Sequence, residues 1–159
     1  TLAADAAATS LRFNDPSART LTAAGFTLTT GGILVTPNVG ANTSAIAGGT
    51  LAAPNGRDVV FFQHNTAAPL VVSSAISATQ SPSVVKAGAG TLVLTSAAHT
   101  FTGSVLIQPG GGTLQIGDGV TAGSLPATAA VANSGNLVFE LGAAGSVTLG
   151  GVISGPGTV

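Results

Sequence analysis

Residues 90–95, Gly-Thr-Leu-Val-Leu-Thr, decide the fold because their pattern returns in altered form along the chain. Each copy is a short apolar run opened by glycine and bounded by small or polar residues. The other copies are Gly31-Gly-Ile-Leu-Val-Thr36, Gly48-Gly-Thr-Leu-Ala-Ala53, Gly111-Gly-Thr-Leu-Gln-Ile116 and Gly135-Asn-Leu-Val-Phe-Glu140. Their openings lie about 17 to 42 residues apart, which fits one or two coils of a stacked sheet. A unit that recurs in this way predicts a repeat protein.

Composition favours an architecture with few long side chains. Of 159 residues, 45% are hydrophobic and only 6% are charged, whereas ordinary globular chains carry about 25% charged residues. The surface must therefore be wetted by Thr, Ser, Asn and backbone groups. We expect stability to come from many backbone hydrogen bonds and from stacked small side chains.

Charge and residue usage argue against several function classes. The net charge is −1, and the basic residues Arg12, Arg19, Arg57 and Lys86 are too few and too scattered to follow a phosphate backbone, so we expect no nucleic-acid partner. The absence of Cys excludes thiol catalysis, disulfides and zinc–thiolate sites. No run approaches the roughly 18 apolar residues of a membrane helix, so we expect no membrane insertion of this segment.

Strand signals run along most of the sequence. They are runs of three to five apolar or Thr residues bounded by Gly, Pro, Asn or Ser, such as Val59-Val-Phe-Phe62 and Val105-Leu-Ile107. Many short strands suit a sandwich, a barrel or a solenoid, and the internal repetition favours the solenoid. We therefore predict an all-β parallel β-helix, a single segment over residues 1–159 with roughly seven to eight coils.

Two weaker matches suggest a second, incomplete repeat. A shift of 126 positions places Leu11 and Phe13 on Leu137 and Phe139. A separate match, at a different shift, places Ile76-Ser77 on Ile153-Ser154. These matches predict a partial repeat at residues 133–159. Because the chain lacks an initiating Met and stops in mid-repeat, we expect it to be a processed product or a piece of something longer.

Three stretches in the middle of the chain carry a family resemblance. They are Lys86-Ala-Gly88-Ala-Gly90-Thr-Leu92-Val-Leu94, His99-Thr-Phe101-Thr-Gly103 and Gly111-Gly-Thr-Leu114-Gln-Ile116-Gly117. Over residues 84–119 the chain resembles the passenger-associated repeat of bacterial autotransporters, with His99-Thr-Phe101 where that family more often has Asn-Thr-Tyr. The resemblance implies a right-handed parallel β-helix that is secreted or displayed on the outer cell surface. It implies no particular activity, because that scaffold carries adhesins, proteases, esterases and plain stalks.

Two sets of polar residues could support catalysis. Arg57-Asp58 with His64 is the densest cluster, and Asp58 with His64 could form an acid/base pair; we favour a corner salt link and a strand-end histidine. Asp118 and Glu140 are 22 residues apart and could meet across one coil. Sugar-cleaving enzymes need two or three carboxylates close together, and we favour two solvated turn positions instead. We therefore predict no catalytic residues.

The remaining motifs have structural interpretations. Lys86 is expected at a corner, where its stem would cover apolar surface. A lone histidine such as His99 is more often structural than a metal ligand, and no His pair has ligand spacing. Gly88-Ala-Gly90 is too short for a dinucleotide fingerprint. We predict no cofactor and no metal site.

The expected role is structural, as a stalk, fibre or filament element of an extracellular or surface protein, with adhesion as an added role. A glycan- or receptor-binding module is the alternative, with Phe61, Phe62 and His64 as candidate surface contacts; strand alternation turns one of the two phenylalanines outward. A polysaccharide-acting enzyme and an ice-binding solenoid with Thr27 and Thr29 are less favoured. Expected partners are chains stacked end to end or neighbouring repeats, and also glycans or a host surface.

Overall fold

The computed structural model describes residues 1–77, 84–143 and 145–159, and nearly all regular structure in them is β-strand. The strands are β1 Ala6–Ala7, β2 Ser10–Phe13, β3 Arg19–Thr22, β4 Thr27–Thr29, β5 Gly32–Val35, β6 Ser44–Ala47, β7 Thr50–Ala52, β8 Val59–Gln63, β9 Leu70–Val72, β10 Ala75–Ser77, β11 Val84–Ala87, β12 Thr91–Leu94, β13 Val105–Ile107, β14 Thr113–Ile116, β15 Val131–Asn133, β16 Asn136–Phe139 and β17 Ile153–Ser154. The helical structure in the described ranges is one 3₁₀ turn, Pro37–Val39. Among those residues, therefore, no helix has the length and apolar character needed to cross a membrane.

The strands form three parallel sheets. Sheet A has the order β1-β4-β7-β10, sheet B has β2-β5-β8-β11-β13-β15-β17, and sheet C has β3-β6-β9-β12-β14-β16. The first four coils pass through sheets A, B and C in turn, and the described strands of the later coils belong to sheets B and C; within each sheet a strand pairs with its equivalent in the neighbouring coil. Register partners lie 21 residues apart where Val84 pairs with Val105 and 28 apart where Gly32 pairs with Val60. The chain is an all-β parallel β-solenoid, as predicted.

The solenoid has about six coils. The expected seven to eight coils are not confirmed, because long corner segments take up part of the chain. The corner between β5 and β6 holds residues 36–43, and the one between β14 and β15 holds residues 117–130. Residues 147–149, Val-Thr-Leu, have the composition of a strand but form none.

Equivalent side chains stack into ladders inside the solenoid. The register of sheet C places Leu70, Leu92, Leu114 and Leu137 in one interior column, and all four are fully buried. In sheet B one column runs Leu11, Ile33, Phe61, Lys86, Ile107 and Asn133. Because parallel strands lie about 4.8 Å apart, every member of a column touches the next. The core is therefore apolar along most of its length, with buried polar side chains such as Lys86 and Asn133 within the sheet B column.

The two weaker sequence matches do not relate equivalent positions. Leu11 lies in sheet B and Leu137 in sheet C, while Ile76 lies in sheet A and Ile153 in sheet B. The matches do not align equivalent strands, because a short alternation of apolar residues suits a strand in any of the three sheets. The strands between 133 and 159 belong to sheets B and C.

Candidate functional site

Lys86 lies inside the solenoid and not at its surface. It occupies the sheet B column between Phe61 and Ile107, and its side chain is fully buried. Its ammonium donates hydrogen bonds to the carbonyls of Ala87, Gly88 and Gly111, at 3.1, 2.6 and 2.5 Å. The sequence predicted a corner residue whose stem covers apolar surface; the structure places the whole side chain, ammonium included, in the interior. The side chain points inward because Lys86 is in register with Phe61 and Ile107, which are both buried.

Burial lowers the pKa of Lys86 to about 8, because the charged form loses its hydration. The three carbonyls accept all three of its protons, so the ammonium form remains fully hydrogen-bonded at neutral pH. The first of these carbonyls belongs to the last residue of β11, the second lies in the turn that follows, and the third lies in the next coil. Lys86 thus ties two successive corners together.

His99 ends sheet A. The backbone N–H of Ile76 in β10 donates to Nδ1 of His99 at 2.9 Å, and the carbonyl of Ile76 accepts from the N–H of Thr100 at 2.9 Å. The imidazole therefore takes the place of a carbonyl from a further strand. Burial lowers the pKa of His99 to about 4, so the ring is neutral at pH 7. The structural role expected for this histidine is confirmed.

Buried amide side chains form hydrogen bonds with backbone groups at other corners. Asn133 accepts from the N–H of Gly135 and donates to the carbonyl of Thr158 at 2.7 Å. Asn65 donates to the carbonyl of Gly40 at 2.7 Å, and Gln63 donates to that of Ala68 at 3.0 Å. Each of these groups serves backbone and not a neighbouring catalytic side chain. Sharp corners leave backbone groups without strand partners in a narrow core, and these amide side chains supply the hydrogen bonds.

The acidic and imidazole groups considered for catalysis are held apart or engaged in turns. Asp58 precedes β8 and His64 follows it, so roughly 20 Å of strand, at about 3.3 Å per residue, separates the two. The carboxylate of Asp118 accepts from the N–H groups of Val120 and Thr121, which lowers its pKa. Glu140 lies one coil away, where its carbonyl accepts from the N–H of Gly119. Asp118 therefore closes a turn, as expected; the link between Arg57 and Asp58 stays a prediction.

The three candidate surface contacts divide between the two faces of β8. Phe61 is fully buried in the interior column, so its inclusion as a surface contact was wrong. Phe62 is 42% exposed and His64 is exposed, since both point to the outer face. Their ring centroids lie 6.5 Å apart with planes within 10° of parallel. The strand alternation thus leaves one aromatic pair on the outer face of sheet B.

A groove lies beside this pair, at the corner between sheets A and B. It has a volume of about 950 Å³, and its lining includes Thr9, Gly32, Arg57, Asp58 and Val60. The sequence singles out Arg57 and Asp58 as a polar cluster but does not predict the groove that they line. The signal was present in the spacing, because residues 53–58 make this corner longer than the two before it.

Among residues 1–77, 84–143 and 145–159, no three His, Asp or Glu side chains gather in a way that could hold a metal ion. The titratable groups of the groove are one guanidinium and one carboxylate. This set suits hydrogen bonding to a polar ligand.

These observations define the chain as a parallel β-solenoid whose interior polar residues serve its corners. The family model described as the passenger-associated-transport-repeat matches residues 84–116, from the first residue of β11 to the last residue of β14. The resemblance predicted from the sequence is confirmed over this segment, which contains both Lys86 and His99. The repeat family implies an autotransporter passenger β-helix, and hence a secreted or surface-exposed protein. Comparison with curated proteins and comparison with solved structures gave no match.

Proposed function

We propose that the chain is a non-catalytic structural segment of a passenger displayed outside a bacterial cell, where it serves as a stalk or fibre element wound as a right-handed helix. The observation that carries this proposal is the repeat at residues 84–116 within uninterrupted parallel ladders. Right-handed winding agrees with the strong preference of crossovers between parallel strands. Six coils at about 4.8 Å each give a rod roughly 29 Å tall.

The partners that this role requires are neighbouring coils. At one end of sheet B, Ile153 in β17 is 38% exposed although it continues the interior column of Val131, and Val152, just before the strand, is 71% exposed. A further coil, from neighbouring repeats or from a second chain, would cover them. Such stacking extends the rod and protects the sheet edge from unspecific pairing.

The test is export and folding outside the cell. The chain, with an epitope tag, is placed in the passenger position of a bacterial surface-display autotransporter, and intact cells are treated with trypsin. We expect the tag at the surface and resistance to trypsin at buried Lys86 and at Arg12 and Arg19, which lie in β2 and β3, so that any early cleavage is confined to the exposed corner at Arg57. Retention inside the cell, or rapid digestion outside it, would contradict the proposal. So would hydrolysis of polysaccharides by the purified chain.

A further inference from the structure

We propose that the groove between sheets A and B, continued by the Phe62–His64 ring pair, binds a neutral oligosaccharide. This inference goes beyond the structural role and does not depend on it. It rests on the shape of the corner, on a floor without side chains, on a balanced pair of charges and on an adjoining aromatic surface.

The groove forms because one corner is longer than its neighbours. In the first two coils sheet A passes to sheet B through two residues, 8–9 and 30–31, whereas in the third coil residues 53–58 make the connection. This longer segment projects further than the two-residue corners of the first two coils. A Cβ on Gly31 would lie 3.8 Å from Cγ of Pro54 and 3.9 Å from the carbonyl oxygen of Asp58. The resulting groove falls within the size range of small-ligand sites.

The floor of the groove is bare backbone at Gly32. This residue lies in β5 at an outward register position, between Ser10 on β2 and Val60 on β8. A Cβ on Gly32 would meet only Cβ of Ser10, at 3.9 Å, so a side chain could be accommodated there. Its absence lets a ligand lie directly against the sheet.

The polar groups of the groove match a ligand that both donates and accepts hydrogen bonds. Arg57 supplies donors, Asp58 supplies acceptors, and the exposed Thr9 hydroxyl can do either. Sugar hydroxyls need both kinds of partner. Because the two charges are opposite, the groove has no net charge to attract an acidic polymer, which favours a neutral ligand.

The ring pair continues the groove along β8. Val60 lines the groove, and Phe62 and His64 follow it on the same outer face at two-residue spacing. Aromatic faces provide apolar area for the C–H face of a sugar ring, while the polar groove orients its hydroxyls. From Asp58 to His64 the path measures roughly 20 Å at about 3.3 Å per residue. This length suits an oligosaccharide and not a single sugar.

The test is calorimetric titration of the full chain with the neutral probes cellotetraose, maltotetraose and laminaritetraose, alongside trigalacturonate and a Ser/Thr-rich peptide. We expect at least one neutral tetrasaccharide to bind, with an affinity that changes little between about 0.05 and about 0.5 M NaCl. Phe62→Ala removes the ring platform, and Gly32→Val fills the floor; each should weaken binding about tenfold or more. Val120→Ala, which truncates an exposed apolar residue in the β14–β15 corner, is the matched control and should bind normally.

Three results would overturn the proposal. One is no binding to any neutral tetrasaccharide, and another is equal binding by the Gly32→Val and Val120→Ala variants. The third is preference for trigalacturonate, with loss of affinity in high salt, or for the peptide, since either would assign a different ligand class. Circular dichroism of each variant separates loss of the site from loss of the fold. None of these results bears on export, so failure here leaves the structural role standing.

Discussion

At the scale of single residues, His99 shows how one side chain can end a sheet. The Ile76 N–H requires an acceptor, and Nδ1 provides it only while the ring is neutral. Protonation would place a second donor against that N–H inside the core. The family pattern more often has Asn at this position, and its amide oxygen branches from the same point as Nδ1. Either residue can therefore end the sheet, but only histidine makes the contact sensitive to pH.

We predict that His99 makes the solenoid sensitive to acid. Its pKa is about 4 in the folded chain against an ordinary value of 6.5, so the unfolded state binds the proton more strongly between these values. Stability should therefore fall as pH drops from about 6.5 to about 4, by up to roughly 3 kcal/mol. Urea unfolding at a series of pH values measures this loss.

Two substitutions assign the acid effect. His99→Asn should keep the acceptor and remove the decline in stability between these pH values, whereas His64→Asn, at an exposed position, should leave the decline in place. A wild-type chain with constant stability over this range, or an unchanged decline in His99→Asn, would contradict the assignment.

Lys86 provides a second prediction, at alkaline pH. Its folded pKa of about 8 lies below the ordinary 10.5, so the unfolded state binds more protons between these values. Stability should rise across this window, by up to roughly 3 kcal/mol. Lys86 can be assigned directly, because the sequence contains no Tyr, no Cys and no other Lys.

Lys86→Met should abolish the alkaline rise, and Arg12→Met, at an exposed position, should preserve it. The midpoints of urea unfolding between pH 7 and pH 10.5 measure whether stability rises in each variant. If the wild-type chain gains no stability, the three carbonyls offset the cost of burying the charge, and the lowered pKa is refuted.

At the scale of elements, the corners must fit within the distance that strand pairing sets between coils. Gly110 and Gly112 lie in the corner between β13 and β14, and both have positive φ, +68° and +58°. A Cβ on Gly110 would meet nothing within 4 Å, whereas one on Gly112 would collide with the carbonyls of Ala89 and Gly90 in the coil below. Glycine at position 110 therefore serves only a backbone conformation, whereas glycine at position 112 also allows the close approach of the neighbouring coil.

We expect Gly112→Ala to cost about 3 kcal/mol or more, because the coils must move apart. Gly110→Ala should cost only about 1 to 2 kcal/mol, the strain of a positive φ. Urea unfolding of both variants compares them directly. Equal losses would mean that conformation, and not packing between coils, makes glycine necessary at position 112.

Several strands could be predicted from the sequence, whereas their assignment to sheets, the inward position of Lys86 and the groove could not. The glycine-opened runs predicted strands that lie in the structure as β5, β7, β12, β14 and β16. The shift of 126 failed because Leu-x-Phe reads alike on sheets B and C, and only the register distinguishes the faces. The inward position of Lys86 could not be predicted either, since it depends on the register with Phe61 and Ile107 in the neighbouring coils. The groove was missed because it arises from corners of unequal length in three coils.

At the scale of the whole molecule, the central claim is that residues about 25 positions apart stack as neighbours in parallel register. The chain suits a direct test because it contains no Cys. In sheet C, Thr20 pairs with Ala45, and Ala45 pairs with Val71. Neighbouring strands lie about 4.8 Å apart, within reach of a disulfide, whereas strands two coils apart lie about 9.6 Å from each other and beyond its limit near 7 Å.

The most direct measurement is therefore disulfide formation in two double variants at low protein concentration, read as mobility on non-reducing gels and as mass. Thr20→Cys with Ala45→Cys should close an intramolecular bond on mild oxidation, and Thr20→Cys with Val71→Cys should stay reduced. Closure of the second pair, or failure of the first in a folded chain, would contradict the stacked parallel solenoid.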